Sequence, residues 1–155
     1  MLKTKSVHSP IETADGLRLL VARFRGHGLP VDRYDVWLAS LGPSEKLLKA
    51  FLADKITWAE FSKRYRAEMF ADAAGDKDNV TIKNHGQKFT VRLIAKLAQR
   101  ENVTLLCHCA EDAAQCHRFL LQKLVEREGG SASSQFGAKI RSVCRSRRES
   151  RSIPR

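Results

Sequence analysis

Val103-Thr104-Leu105-Leu106-Cys107-His108-Cys109-Ala110-Glu111-Asp112-Ala113-Ala114-Gln115-Cys116-His117-Arg118 changes periodicity halfway along. The run 103–108 is apolar without the polar alternation of a half-buried strand, so it predicts a strand buried on both faces and central in its sheet. Asp112, with Gln115 three residues on, has the spacing of a helix-capping pair. Behind it Ala113, Cys116, His117, Leu120, Leu121 and Leu124 fall on one stripe, a helix that Gly129-Gly130 is expected to stop. Just upstream, Lys88 to Arg100 predicts another helix with Leu93, Ile94 and Leu97 inward. Helix, strand and helix in succession indicate an α/β domain with a largely parallel sheet. In such domains ligands gather beyond the carboxyl ends of the strands, where the loop 109–112 lies.

Further upstream, Lys3 to His8 predicts a first strand ended by Ser9-Pro10, since proline removes a ladder donor and biases its predecessor away from helix. Leu17 to Phe24, dense in Leu and Val and bounded by glycines, predicts a second strand, and Tyr34 to Leu38 a short third. Ser44 is placed to cap a helix burying Leu47, Leu48, Phe51 and Leu52. Thr57-Trp58-Ala59-Glu60 has capping-box spacing, with Trp58, Phe61, Tyr65 and Met69 recurring at helical intervals behind it. That spacing makes the aromatic residues core rather than a base-stacking platform. Asp72 to Gly86 is polar and predicts a loop.

The chain has 155 residues and is 43% hydrophobic, enough for one ordinary core without obligatory staples. Its four cysteines are no disulfide framework, and a reducing compartment is expected. Met1-Leu2-Lys3-Thr4-Lys5 is basic, but no apolar stretch of signal-peptide length follows and no segment has membrane-span length, so a cytoplasmic protein without membrane contact is expected. The net charge of +11 is uneven, with +6 of it in residues 129–155. Residues 1–128 are therefore expected to form a single α/β domain, and 129–155 a disordered basic Ser/Arg-rich tail with little to bury. Nucleic-acid contact through the tail arginines is an alternative role, though nothing there supplies base readout.

Three chemistries compete for the Cys/His segment. In a strand Cys107 and Cys109 share a face and His108 points away, and if the next helix packs on that face Cys116 and His117 join them. Cys107, Cys109, Cys116 and His117 are a complete tetrahedral ligand set for zinc, although the spacing is unlike common knuckles and adjacent helical residues project about 100° apart. Alternatively Cys116, in the first turn of a helix, is an activated thiolate, with His117 and Arg118 as donors to an anionic substrate. Thirdly, all four residues are core, since free Cys behaves as a small hydrophobe and Arg118 lies on the polar, solvated flank with Gln115 and Gln122. A Cys-dependent phosphatase is disfavoured because Gln115 stands where that signature needs Arg. Arg23 is expected either to reach the strand-end cleft near Arg118 or to bridge Glu68 or Glu111. Cys144 is expected to be an incidental thiol. No dinucleotide fingerprint, phosphate loop or Ser-His-Asp set is present.

Leu105-Leu106-Cys107, the acidic loop and Cys116-His117-Arg118 resemble the signature of domain-of-unknown-function family 488 (DUF488), in its Cys-His-Arg branch. Asp15 to Val21 with Arg23, then Trp37, Pro43-Ser44, Trp58, Phe61, Tyr65 and Glu68, are similar in order and spacing over about residues 1–128. Arg25-Gly26-His27-Gly28 departs from the family's Trp-Pro-Arg-Gly, retaining a basic residue as His27. The resemblance implies a small Rossmann-like or flavodoxin-like domain, helices flanking its sheet, and a site but no established reaction. The expectation is a small enzyme or ligand-binding domain acting on an anionic small molecule or nucleotide-like group. Cys109, Cys116, His117 and Arg118 would be catalytic, and Arg23, His27 and Glu111 would hold the anion.

Overall fold

The computed structural model describes residues 1–71 and 86–130. The expected loop up to residue 85, the tail beyond residue 130 and Cys144 lie outside the described residues. Four strands, β1 (Leu2–Ser6), β2 (Leu17–Leu20), β3 (Val36–Trp37) and β4 (Val103–Cys107), form one sheet in the order β1-β4-β2-β3. All pairings are parallel, with Leu2 opposite Val103 and Leu17 opposite the same residue from the other side. β4 is thus central, and all five of its residues are buried, as its unalternating apolar run requires.

The helices are α1 (Glu45–Leu52), α2 (Trp58–Phe70), α3 (Lys88–Ala98) and α4, which occupies 117–130. The Ser44 hydroxyl accepts from the Leu47 N–H at 3.2 Å and the Thr57 hydroxyl from Glu60 N–H at 3.2 Å, so both caps form where the sequence puts them. Leu19, Val103 and Leu105 on one sheet face pack with Leu47, Phe61, Tyr65, Met69, Val91, Ile94, Leu121 and Val125 from all four helices. On the other face Leu20 and Leu106 meet Val7, Ala22 and Leu29, with Tyr34 beside them, all from loops. The molecule is an α/β domain with a parallel sheet, and among the described residues the four helices pack on one face of it.

Several expected boundaries move. β2 stops at Leu20 instead of running to Phe24, because residues 21–24 turn away beyond the sheet to bring Arg23 under the turn before α1. Leu52 and Leu93, expected inward, are 71% and 59% exposed, since each lies off the stripe that Leu47, Val91, Ile94 and Ala95 turn to the sheet. α4 begins at residue 117, so Asp112 does not cap it, and the helix continues through Gly129-Gly130 to the last described residue. Residues 111–115 form turns instead, which leaves Cys116 outside the helix.

Candidate functional site: a Cys/His centre at the end of the central strand

Cys107 ends β4 on the face that meets the helices, sharing it with Val103 and Leu105. Two residues on, Cys109 returns to that face, and its Sγ lies 3.6 Å from the Cys107 Sγ. From the other direction Cys116 and His117 arrive at the start of α4. The Cys107 Sγ is 3.8 Å from His117 Nδ1, and the ligand atoms of Cys107, Cys116 and His117 all lie within 4.8 Å of one another. These three residues are buried and stand near enough to hold a metal ion, while Cys109 is half-buried at the outer edge.

The imidazole is oriented from behind. His117 Nε2 lies 2.8 Å from the carbonyl oxygen of Val21, and since a carbonyl can only accept, the proton sits on Nε2 and Nδ1 presents a lone pair to the sulfurs. The Tyr65 ring meets the imidazole edge-on at 5.8 Å, and its hydroxyl donates to the Leu41 carbonyl at 2.7 Å. Burial pushes the His117 pKa down, which keeps the ring neutral, and burial pushes the Tyr65 hydroxyl up.

Among the sulfurs one negative charge has one preferred seat. Hydrogen bonds from the Cys107 and Cys116 thiols, with the nearby Arg118 guanidinium, hold Cys109 well below the usual thiol range. Donating to Cys109 raises Cys107 to about 11, and hydrogen bonds with Cys107 and Cys109 together with burial push Cys116 up. Cys109, with the two buried thiols donating toward it, is thus the sulfur on which a negative charge is most favoured.

Arg118 is not on a solvated flank; its exposure is 0%. It donates to the carbonyls of Cys109 at 3.1 Å, Ala110 at 2.8 Å and Glu111 at 2.9 Å, holding the backbone of the loop that carries Cys109. Its Nε is buried without a partner and its guanidinium lies 4.8 Å over the Phe119 ring. The late start of α4 explains this burial: one residue into the helix, Arg118 turns back under the loop instead of outward.

The other residues singled out in the sequence have their own partners. Arg23 donates to the carbonyls of Gly42 and Pro43 at 2.8 Å each. Glu68 holds Ser44, accepting from its N–H at 2.9 Å and from its hydroxyl. The Glu111 carboxylate accepts from the Ser6 N–H at 2.5 Å and the Ser9 hydroxyl at 2.9 Å, which ties the loop to the end of β1. Although partly desolvated, Glu111 is kept below the usual carboxylate range by those bonds. His27 is exposed in a turn. On the opposite sheet face His108 pairs with His8 at 3.4 Å and packs on Gly26, where φ is 86° and a Cβ would meet the His108 ring at 2.7 Å. Sequence reasoning missed the Val21 carbonyl, which as a backbone group leaves no trace in residue type. It also missed Arg33, whose guanidinium pins the carbonyls of Val7 and Ser9.

The family described as DUF488-N3a, Active DUF488-N3 subclade, matches residues 2–129. The uncharacterized protein YeaO of Escherichia coli (strain K12) is 29% identical over 122 residues, covering 77% of this chain and 92% of that protein. The uncharacterized proteins Mb3100c of Mycobacterium bovis and Rv3073c of Mycobacterium tuberculosis are each 31% identical over 75 residues, 47% of this chain and 64% of theirs. No solved structure matches. The chain belongs to the DUF488 family.

Proposed function

We propose that this DUF488 domain is built around a zinc-class metal centre. Cys107, Cys109, Cys116 and His117 are its ligands, and the centre serves a small enzyme or ligand-binding domain acting on an anionic small molecule. One observation carries the reading. Around a zinc ion with bonds of about 2.3 Å to sulfur and about 2.0 Å to nitrogen, the edges of a tetrahedron are about 3.8 Å between sulfurs and about 3.5 Å between sulfur and nitrogen. The Cys107–Cys109 and Cys107–His117 separations of 3.6 and 3.8 Å lie within a few tenths of an ångström of those edges. The hydrogen bond from His117 Nε2 to Val21 is the outer-shell partner that a ligating imidazole uses to fix its tautomer. Cys116 also stands before the helix, so the objection that adjacent helical residues diverge does not apply to it and His117. The position at the carboxyl end of the central parallel strand favours a working centre, as does the word Active in the description of the matching subclade.

The full chain purified without chelator, or reconstituted with zinc, is expected to hold about one ion per chain, and a chelator should lower its melting temperature. A second reading, metal-free thiolate chemistry at Cys109, rests on the support that the two buried thiols give that sulfur. It predicts no stoichiometric metal and alkylation of Cys109 at pH values well below the ordinary cysteine value of about 8.5. Absence of metal after reconstitution would reject the metal centre in favour of that second reading.

A further inference from the structure

The four donors are not held alike. Cys107 and Cys116 are 4% and 1% exposed, and His117 is pinned between the Val21 carbonyl and the Tyr65 ring. None of these three side chains can leave without opening the core. Cys109 stands two residues beyond the last hydrogen-bonded residue of β4 and is half-buried. Around it, what is fastened is main chain: Arg118 takes the carbonyls of residues 109, 110 and 111, and the Glu111 carboxylate fastens the loop to Ser6 and Ser9. A change of rotamer at Cys109 moves its sulfur by roughly 3 Å with that backbone left in place.

Accepting the metal centre above, we infer that Cys109 is its exchangeable ligand: Cys107, Cys116 and His117 hold the ion, and Cys109 swings away to admit a small monoanionic donor from solvent. Two thiolates and a neutral imidazole bring a divalent zinc ion to zero net charge, and the Cys109 thiolate brings it to minus one. A group that replaces Cys109 restores the same charge only if it is itself a monoanion. Two cysteines and a histidine around an open fourth position form one of the recognised working zinc arrangements, whereas four fixed protein ligands make a closed structural site. Arg118 is a positioning residue here, since it acts through the loop backbone and touches no ligand atom in the described structure.

The test uses the zinc-loaded full chain and iodoacetamide. The sulfur attacks the methylene carbon, a carbon–sulfur bond forms and iodide leaves, so each event marks one cysteine. We expect one carbamidomethyl group per chain, on Cys109, at least about tenfold faster than on Cys107 or Cys116, with zinc retained. A Cys109→Ala variant loaded with cobalt should keep one ion, lose about a third of the thiolate-to-cobalt charge-transfer intensity, and change its visible spectrum saturably on addition of azide. Protection of all three thiols while zinc is bound would overturn the inference, leaving a closed site. Release of zinc in step with the first alkylation, or a Cys109→Ala spectrum indifferent to azide, would overturn it as well. A full chain that takes up no zinc at all would defeat the metal centre itself, a result distinct from these.

Discussion

Two polar clusters border the sheet, and they are built on opposite principles. Beside the start of β2, the buried Asp15 carboxylate accepts from Lys5 Nζ at 3.0 and 3.1 Å and from the Glu12 N–H at 2.8 Å. Its carbonyl takes the buried Thr104 hydroxyl at 2.6 Å, and the next carbonyl back, Ala14, takes Lys3 at 2.9 Å and Asn102 at 3.2 Å. Each charge there meets an opposite charge or a matched hydrogen bond. At the carboxyl end of β4, soft sulfurs and an imidazole lone pair face one another, and the buried cation of the region, Arg118, is bound to backbone. The first cluster completes itself within the protein. The second gathers thiols and an imidazole lone pair near enough to hold a metal ion, and the contrast separates a structural cluster from a candidate site.

Breaking the second cluster should cost most. Cys116→Ala or Cys107→Ala is expected to abolish zinc binding and lower the stability of the zinc-loaded protein by on the order of 5 kcal/mol or more. Thermal unfolding with and without chelator checks this, and the difference between those two conditions should vanish in the variants. Arg118→Met comes next. It removes the donors to three loop carbonyls, and denaturant unfolding should register a loss of about 3 kcal/mol. If that loss came without any change in the alkylation rate of Cys109, Arg118 would be structural support alone.

The smallest effect belongs to the self-contained cluster. Asp15→Asn is expected to cost about 1–2 kcal/mol at neutral pH and to leave zinc content unchanged. The direction with pH follows from the carboxyl itself. Burial opposes its charge, but the Glu12 N–H and Lys5 outweigh burial and set its folded pKa below the ordinary 3.8. Its contribution is therefore present above that value and lost as pH falls through the lower folded value, so the gap between wild type and variant should close in acid. A gap that widened instead, measured by urea unfolding across that range, would mean the Lys5–Asp15 pair is not what holds this end.

Much of the architecture was legible because local chemistry dictated it. Ser44 and Thr57 cap helices through hydrogen bonds that depend on residues only three positions away. The unbroken apolar run of β4 states its central place, since an edge strand would carry polar residues on one face. The approach of Cys109 to Cys107 was legible in their i, i+2 spacing, although the strand ends at Cys107 and residues 108–109 form a bend. What the sequence left open turned on where α4 begins. Helix-period reasoning put Cys116 inside that helix and Arg118 on its wet side, but the helix starts at residue 117, and that shift brings Cys116 toward Cys107 and drives Arg118 under the loop. Local propensity could not decide it, because Asp112 with Gln115 is an acceptable cap. The three loop carbonyls that bind Arg118 and the Val21 carbonyl that orients His117 exist only once distant segments are folded together. The sequence by itself therefore determined an α/β domain with its thiols on one face of a central strand. Tertiary structure alone decided that those thiols meet a lone pair held in place by a backbone oxygen 96 residues away.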